Sequence, residues 1–201
     1  MITLEEYLQD PCGKLSIPYW KWKKITLPQN MKIQHSLNSL PLEKCDDVYF
    51  RLKHDLKQVE PIPTALSIRK VERSDWPVIA DIIKRCYSGI SFSEARLSGL
   101  TKTPVYAPDI WLIGEWQGKA VGCVLADLDP EAGEGILEWV QVLPEYRGRG
   151  FAKALVMAAL ARMDAEFATV SGQVLNPHCP EKLYRACGFY GNDYWHIITE
   201  K

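Results

Sequence analysis

Hydrophobic and polar positions fall into two periods along this chain. Val140 and Val142 alternate with Trp139 and Gln141, the two-residue period of a strand, inside a segment running from Gly135 to Leu143. Pro144 offers no N–H to a ladder and ends that strand. Beyond it, Ala152, Leu155, Val156, Ala159, Leu160 and Met163 recur at three- and four-residue spacing, one continuous apolar face of a helix. Upstream, residues 67–71 read as a strand. A helix follows with the stripe Trp76, Ile79, Ala80, Ile83 and Tyr87, capped by Ser74 or Asp75, with Pro77 in its first turn. Residues 91–100 read as a short helix capped by Ser91 or Ser93. Residues 110–116 and 120–128 read as strands joined at Gln117-Gly118. Residues 169–175 form a further strand, 180–187 a short helix closed by Gly188 in the left-handed region, and 194–199 a last strand. The order β-α-α-β-β-β-α-β-α-β predicts an α/β fold with a mixed, mostly antiparallel central sheet and helices on both faces.

The first third reads differently. Leu4 to Leu8 forms a short helix before Asp10-Pro11, and residues 31–36 and 48–56 read as strands, paired as a hairpin or added to a sheet edge. Ile17 to Trp22 is dense in aromatic rings, which either pack an extension onto the main domain or line an acceptor surface. Pro61, Pro63 and Thr64 read as a linker. The expected division is an N-terminal extension over residues 1–65 and a main domain over residues 66–201.

Composition narrows the function. The 201 residues are 47% hydrophobic and carry a net charge of −1, as expected for a globular protein with a sizeable core and not for a nucleic-acid binder. No run approaches the roughly eighteen apolar residues of a membrane span. The acidic start MITLEEYLQD lacks the marks of an export signal, so the expected location is cytoplasmic. Six scattered cysteines, without a Cys-x-x-Cys or a histidine cluster, fit free thiols; no metal is expected.

The candidate chemistry lies between strand and helix, at Arg147-Gly148-Arg149-Gly150-Phe151-Ala152. The first amides of a helix lack internal acceptors, and the helix dipole is positive there. Gly148 and Gly150 let an anion approach the backbone, and Arg147 and Arg149 add forked, permanent charges. The expected ligand is a phosphate or diphosphate. The pattern is neither the P-loop nor the dinucleotide fingerprint.

Arg147-x-x-Gly150-x-Ala152, directly after Val140-x-Val142-x-Pro144, resembles the acetyl-coenzyme A signature of the GNAT superfamily of N-acetyltransferases. Leu183-Tyr184-Arg185-Ala186-Cys187-Gly188-Phe189 resembles the L-Y-x-x-x-G-F segment near the end of that fold. The resemblance covers roughly residues 66 to 199. It implies transfer of an acetyl group from acetyl-coenzyme A to a primary amine, small-molecule or protein, in a ternary complex. The backbone of Arg147 to Ala152 would hold the diphosphate, and that of Val140, Gln141 and Val142 the pantetheine arm. Asn176 would bond the same arm; it stands eight residues before Tyr184, one more than the family spacing, and otherwise reads as a turn residue ahead of Pro177. Tyr184 matches the tyrosine that protonates the departing thiolate.

Glu138 is the best candidate for the base, because a carboxylate on an otherwise apolar strand is costly without a use or a partner. A base-free site, where the amine arrives neutral through water, is the main alternative, and Glu134 a weaker one. Glu94 and Arg96, on the short second helix, either face substrate or lie on a solvated surface. A coenzyme A-binding sensor without turnover is the competing reading. The oligomeric state, monomer or homodimer, is open.

Overall fold

The computed structural model describes residues 2–14, 30–37, 47–87, 90, 92–176, 178 and 180–199. These hold five α-helices: α1 (Leu4–Gln9), α2 (Trp76–Cys86), α3 (Glu94–Leu100), α4 (Phe151–Leu160) and α5 (Pro180–Ala186). Eight strands accompany them: β1 (Met31–Ser36), β2 (Asp47–His54), β3 (Ser67–Lys70), β4 (Leu112–Trp116), β5 (Lys119–Asp129), β6 (Glu134–Val142), β7 (Phe167–Gln173) and β8 (Tyr190–Thr199). The protein is α/β, with mostly antiparallel pairing. It divides into two compact units, residues 1–54 with 169–201, and residues 55–168. The aromatic stretch Ile17 to Trp22 lies outside the described residues. Among those residues, no helix is long and apolar enough to cross a membrane.

In the first unit β8 lies between β1 and β2 and runs antiparallel to both, with Met31 opposite Thr199 and Asp47 opposite Ile197. The strands over 31–36 and 47–54 therefore form no hairpin. Each uses one edge of β8, which satisfies the backbone groups of a strand 150 residues or so downstream. The N-terminal turn is pinned to β2 by buried Arg51, whose Nε donates to the Pro11 carbonyl at 3.0 Å and whose Nη2 donates to the Tyr7 hydroxyl at 2.9 Å. α1 starts on a reciprocal cap between Thr3 and Glu6 and buries Tyr7 completely.

In the second unit the strand order is β6-β5-β4-β3. Ile113, Cys123 and Leu125 face Ile79, Ile82 and Ile83 of α2 and Leu97 of α3 in one apolar core. Residues of opposite parity, Gly114 and Gly122, face Leu155 of α4 so closely that a Cβ on either would come within 3.2 Å of its side chain. Helices thus cover both faces of this unit, as the element order predicts, because strand side chains alternate. Gln117 and Gly118 both have positive φ, the conformation of the tight hairpin expected between β4 and β5. Ser93 caps α3, accepting from the Arg96 amide at 3.3 Å. α4 ends at Leu160, one turn before Met163, and buries nearly its whole circumference instead of a single stripe.

Asp75 stands at the N-terminus of α2 without capping it. Its carboxylate accepts from Arg69 at 2.7 and 2.8 Å and from the Glu72 amide at 2.7 Å, while Arg69 also donates to Glu115 at 2.7 Å. The network ties β3 and β4 to the entry of α2. Bonding to Arg69 holds the Asp75 carboxyl below its ordinary range, against the opposing effect of burial. With a folded pKa below the unfolded ~3.9, the carboxylate stabilises fully above that value and stops doing so as pH falls through the folded one. The Arg69 side chain is 39% exposed, so water screens the pair. Asp75→Asn is expected to cost about 1 kcal/mol at neutral pH. Urea midpoints of the two proteins should converge on acidification; a difference that persists at low pH would contradict this assignment.

Candidate active site

The strand–turn–helix segment stands in the second unit. β6 ends at Val142, and a 3₁₀ turn over Pro144–Tyr146 leads into Arg147 to Gly150. Gly148 (φ 75°) and Gly150 (φ 77°) both take the left-handed conformation, and a Cβ on either would meet nothing within 4 Å. The backbone here is open to solvent, as the approach of a bulky anion requires. The first helical bond of α4 runs from the Ala154 amide to the Gly150 carbonyl at 3.0 Å. From Gly148 to Lys153, no backbone amide donates to a group of the protein among the described residues. Consecutive unused donors at the positive end of a ten-residue helix are chemically fitted to a diphosphate.

The two arginines divide their work. Arg147 turns back: its Nε donates to the Val142 carbonyl at 3.0 Å, fastening the turn to the strand that precedes it. The half-buried Cys86 thiol reaches the same carbonyl at 3.5 Å, and burial raises its pKa. Arg149 extends along the exposed side, with its guanidinium carbon 5.0 Å from the centre of the Trp116 ring. Arg85 braces the turn from α2 through a 2.6 Å pair with Glu145.

β6 itself is irregular. Leu125 pairs with Trp139 and Ala126 with Leu137, so Glu138 is an extra residue with no opposite number on β5. This β-bulge shifts the register between β5 and β6 at Glu138 and re-aims the side chains around it. Glu138 is half-buried. Glu134 opens β6 at its other end, fully buried and about 20 Å from Val140 by strand rise. Val140 and Val142 lie on the α4 face, with their partners Val124 and Gly122. Gln141, opposite Cys123, lies on the α2 face; it is buried, and its Nε2 has no partner among the described residues.

Trp139 shares that face. Its indole meets Phe92 at 4.8 Å and Tyr87 at 6.0 Å, both edge-on, and the Arg96 guanidinium lies over Phe92 and Trp139 at 5.1 and 5.3 Å. The sequence singles out Arg96 but not this aromatic setting, because Tyr87 follows α2, Phe92 precedes α3 and Trp139 lies on β6, far apart along the chain. The Trp-Val-Gln alternation was the only available hint that Trp139 faces α2.

Tyr184 and Asn176 stand in the first unit. Tyr184 is buried, with its ring between Phe50 at 6.1 Å and Phe189 at 5.8 Å. Its carbonyl accepts from the amides of Cys187 and Phe189, and Gly188 takes a φ of 96°, so the helix stop expected there also positions the tyrosine. Asn176 Oδ1 accepts from the His178 amide at 3.0 Å, a side-chain turn that accounts for the residue type by itself. Among the described residues no three His, Cys, Asp or Glu side chains gather as metal ligands.

Comparison with known proteins bears on this geometry. An acetyltransferase of Pectobacterium atrosepticum is 26% identical over 91 residues, 45% of this chain and 62% of that protein. An L-2,4-diaminobutyric acid acetyltransferase of Nocardia farcinica is 32% identical over 77 residues, 38% of this chain and 40% of its own length. The matches thus span less than two thirds of these relatives. A GCN5-related N-acetyltransferase from Sphaerobacter thermophilus has a similar fold, with a TM-score of 0.64 at 21% identity, over 77% of this chain and 51% of that one. Diaminobutyrate acetyltransferase from Paenibacillus lautus, solved with its substrate and coenzyme A, gives a TM-score of 0.54 at 17% identity, over 68% of this chain and 96% of that one. The model of the acetyltransferase (GNAT) family matches residues 76–189, more than half of the sequence, and the chain belongs to that family.

Proposed function

We propose that this protein transfers an acetyl group from acetyl-coenzyme A to a primary amine, directly and within a ternary complex. The observation that carries the reading is the run of unused amides from Gly148 to Lys153, beside two glycines with open space where a side chain would stand. Those amides would take the diphosphate of the co-substrate, with Arg149 supplying charge along the exposed side. The backbone of Val140 to Val142 would bond the pantetheine arm. Residues 66–201 carry the transferase in this reading, and residues 1–65 are an N-terminal extension to it.

Acetyl-coenzyme A supplies an activated acetyl thioester. The protein's part is to deliver an unprotonated amine and to donate a proton to the leaving sulfur. An alkyl ammonium with a pKa near ~10.4 is mostly the wrong form at neutral pH. Glu138, at the bulge, would accept its proton directly or through water. A strand backbone N–H near Val140 would donate to the carbonyl oxygen as charge develops on it. Tyr184 would return a proton to the sulfur; that role rests on its residue type and its match to the L-Y-x-x-x-G-F pattern. A relative and a structural neighbour are named for L-2,4-diaminobutyric acid, which bears primary amines, and the NatC complex, similar in fold, was solved with a peptide and coenzyme A. Both kinds of acceptor belong in an assay.

Release of free thiol from acetyl-coenzyme A across a panel of amines tests the activity. Turnover of at least one amine is expected. Binding of the co-substrate with no release from any amine would replace the enzyme by a coenzyme A sensor. Gly150→Glu should weaken coenzyme A binding by ~100-fold or more, since a non-glycine residue is strained at φ 77° and its charge opposes the diphosphate. Unchanged affinity in calorimetry would count against the turn as the binding site. Tyr184→Phe should lower kcat by ~10- to 100-fold while leaving coenzyme A affinity nearly unchanged; full turnover would remove the acid role. Glu138→Gln should move the pH–rate profile to alkaline values, toward the pKa of the amine, because the amine must then lose its proton unaided. An unshifted profile would leave the deprotonation to another group.

A further inference from the structure

We infer that the side-chain amide of Gln141 donates a hydrogen bond to the carbonyl oxygen of the thioester during transfer. The inference rests on the acetyltransferase reading above and adds a catalytic residue to it. All the residues concerned belong to the second unit. Gln141 is only 5% exposed, and its Nε2 is the one buried side-chain nitrogen or oxygen that lacks a partner among the described residues. An unpaired buried donor is destabilising, so each one in a folded protein calls for an explanation. The packing around it offers none. Gln141 lies opposite Cys123 on the α2 face, where Cys123, Ile82, Ile83, Leu125 and Leu143 form a buried apolar cluster. A methionine or leucine at this position would complete that surface and leave no polar group unpaired.

The place of the amide along β6 suggests what it serves. Trp139, Val140, Val142 and Leu143 are apolar, so Gln141 carries the only polar side chain between the bulge and Pro144. It is also the middle residue of the stretch that holds the pantetheine arm in the reading above. A thioester held beside this strand brings a carbonyl oxygen, an acceptor of the kind the amide lacks. When the amine nitrogen bonds to the carbonyl carbon, one C=O electron pair moves onto that oxygen, and its negative charge is then greatest. When the C–S bond breaks, the pair returns and sulfur leaves with the bonding electrons. The nitrogen loses a proton and the sulfur gains one; Gln141 stays neutral throughout. A fixed donor in a water-poor setting stabilises such a charge strongly, because little has to reorganise as the charge forms. Among the described residues no hydrogen bond holds the carboxamide, so it can turn to the oxygen without breaking one. Together with the strand N–H near Val140 it gives the oxygen two donors.

Gln141→Met removes the donor at nearly constant volume, and Gln141→Leu is a second variant of the same kind. Three measurements on the full chain test the inference. Without ligand, both variants should melt ~2–4 °C above the wild type, because the unpaired amide is gone. With acetyl-coenzyme A and the amine that the wild type turns over best, Gln141→Met should lower kcat by ~100-fold and leave KM for both substrates nearly unchanged. In infrared spectra of bound acetyl-coenzyme A, isotope-labelled at the thioester carbonyl, the carbonyl band should lie at lower frequency in the wild type than in Gln141→Met, the mark of the lost hydrogen bond. A merely structural glutamine would give variants that melt lower and a band that does not move. Lower melting temperatures in both variants, an unchanged kcat, or a band at the same frequency in both proteins would each overturn the inference while leaving the acetyltransferase reading in place. Failure of the wild type to turn over any amine would overturn both.

Discussion

The structure depends on keeping a run of backbone amides unsatisfied at one place. Elsewhere in a folded chain, polar backbone groups find partners in helices, sheets or caps, because leaving them unpaired is costly. Between Gly148 and Lys153 none donates to a protein group among the described residues, and the two glycines open onto free space at the positive end of α4. A charged ligand that meets several such donors gains about 1.5–3 kcal/mol from each good bond, and the helix end adds about 0.3–1 kcal/mol. That is enough to account for tight binding of a diphosphate without a metal ion or a dedicated loop.

Holding the amides in place falls to the surrounding packing. α4 is anchored by Leu155, Val156 and Leu160, each fully or almost fully buried, and each worth about 1.5–3 kcal/mol by burial alone. Gly114 and Gly122 open the seat into which Leu155 descends. Arg147 closes the other side by bonding the last carbonyl of β6, so the turn is tied at both ends. One strand thereby presents three things in order: a bulge at Glu138, a stretch of backbone at Val140 to Val142, and the anion turn. Along the strand rise, Glu138 and Val142 are about 13 Å apart, a spacing suited to a long, extended thioester whose charged end and reacting end must be held at once.

The open glycine turn was legible in the sequence because its physics is local. Pro144, two glycines and the apolar period of α4 each act within a few residues. The hairpin at Gln117-Gly118 and the stop at Gly188 were legible for the same reason. What escaped was set by register and by distant partners. No glycine or proline marks the bulge at Glu138, since it arises from how β5 and β6 align. Asp75 has a capping residue's identity, yet its carboxylate is taken by Arg69 and Glu72. The strands over 31–36 and 47–54 gave no sign that β8 would separate them. The rings under Arg96, Phe92 just ahead of α3 and Trp139 on β6, are brought together only by the tertiary fold.

The account's central claim is that the amides of this turn bind the coenzyme through its diphosphate. Titration calorimetry of the wild-type protein with coenzyme A and with pantetheine, which lacks the nucleotide and the diphosphate, tests it most directly. The account predicts a clear exothermic binding isotherm for coenzyme A and affinity for pantetheine weaker by ~100-fold or more. Equal affinity for the two, or no binding of coenzyme A, would contradict it.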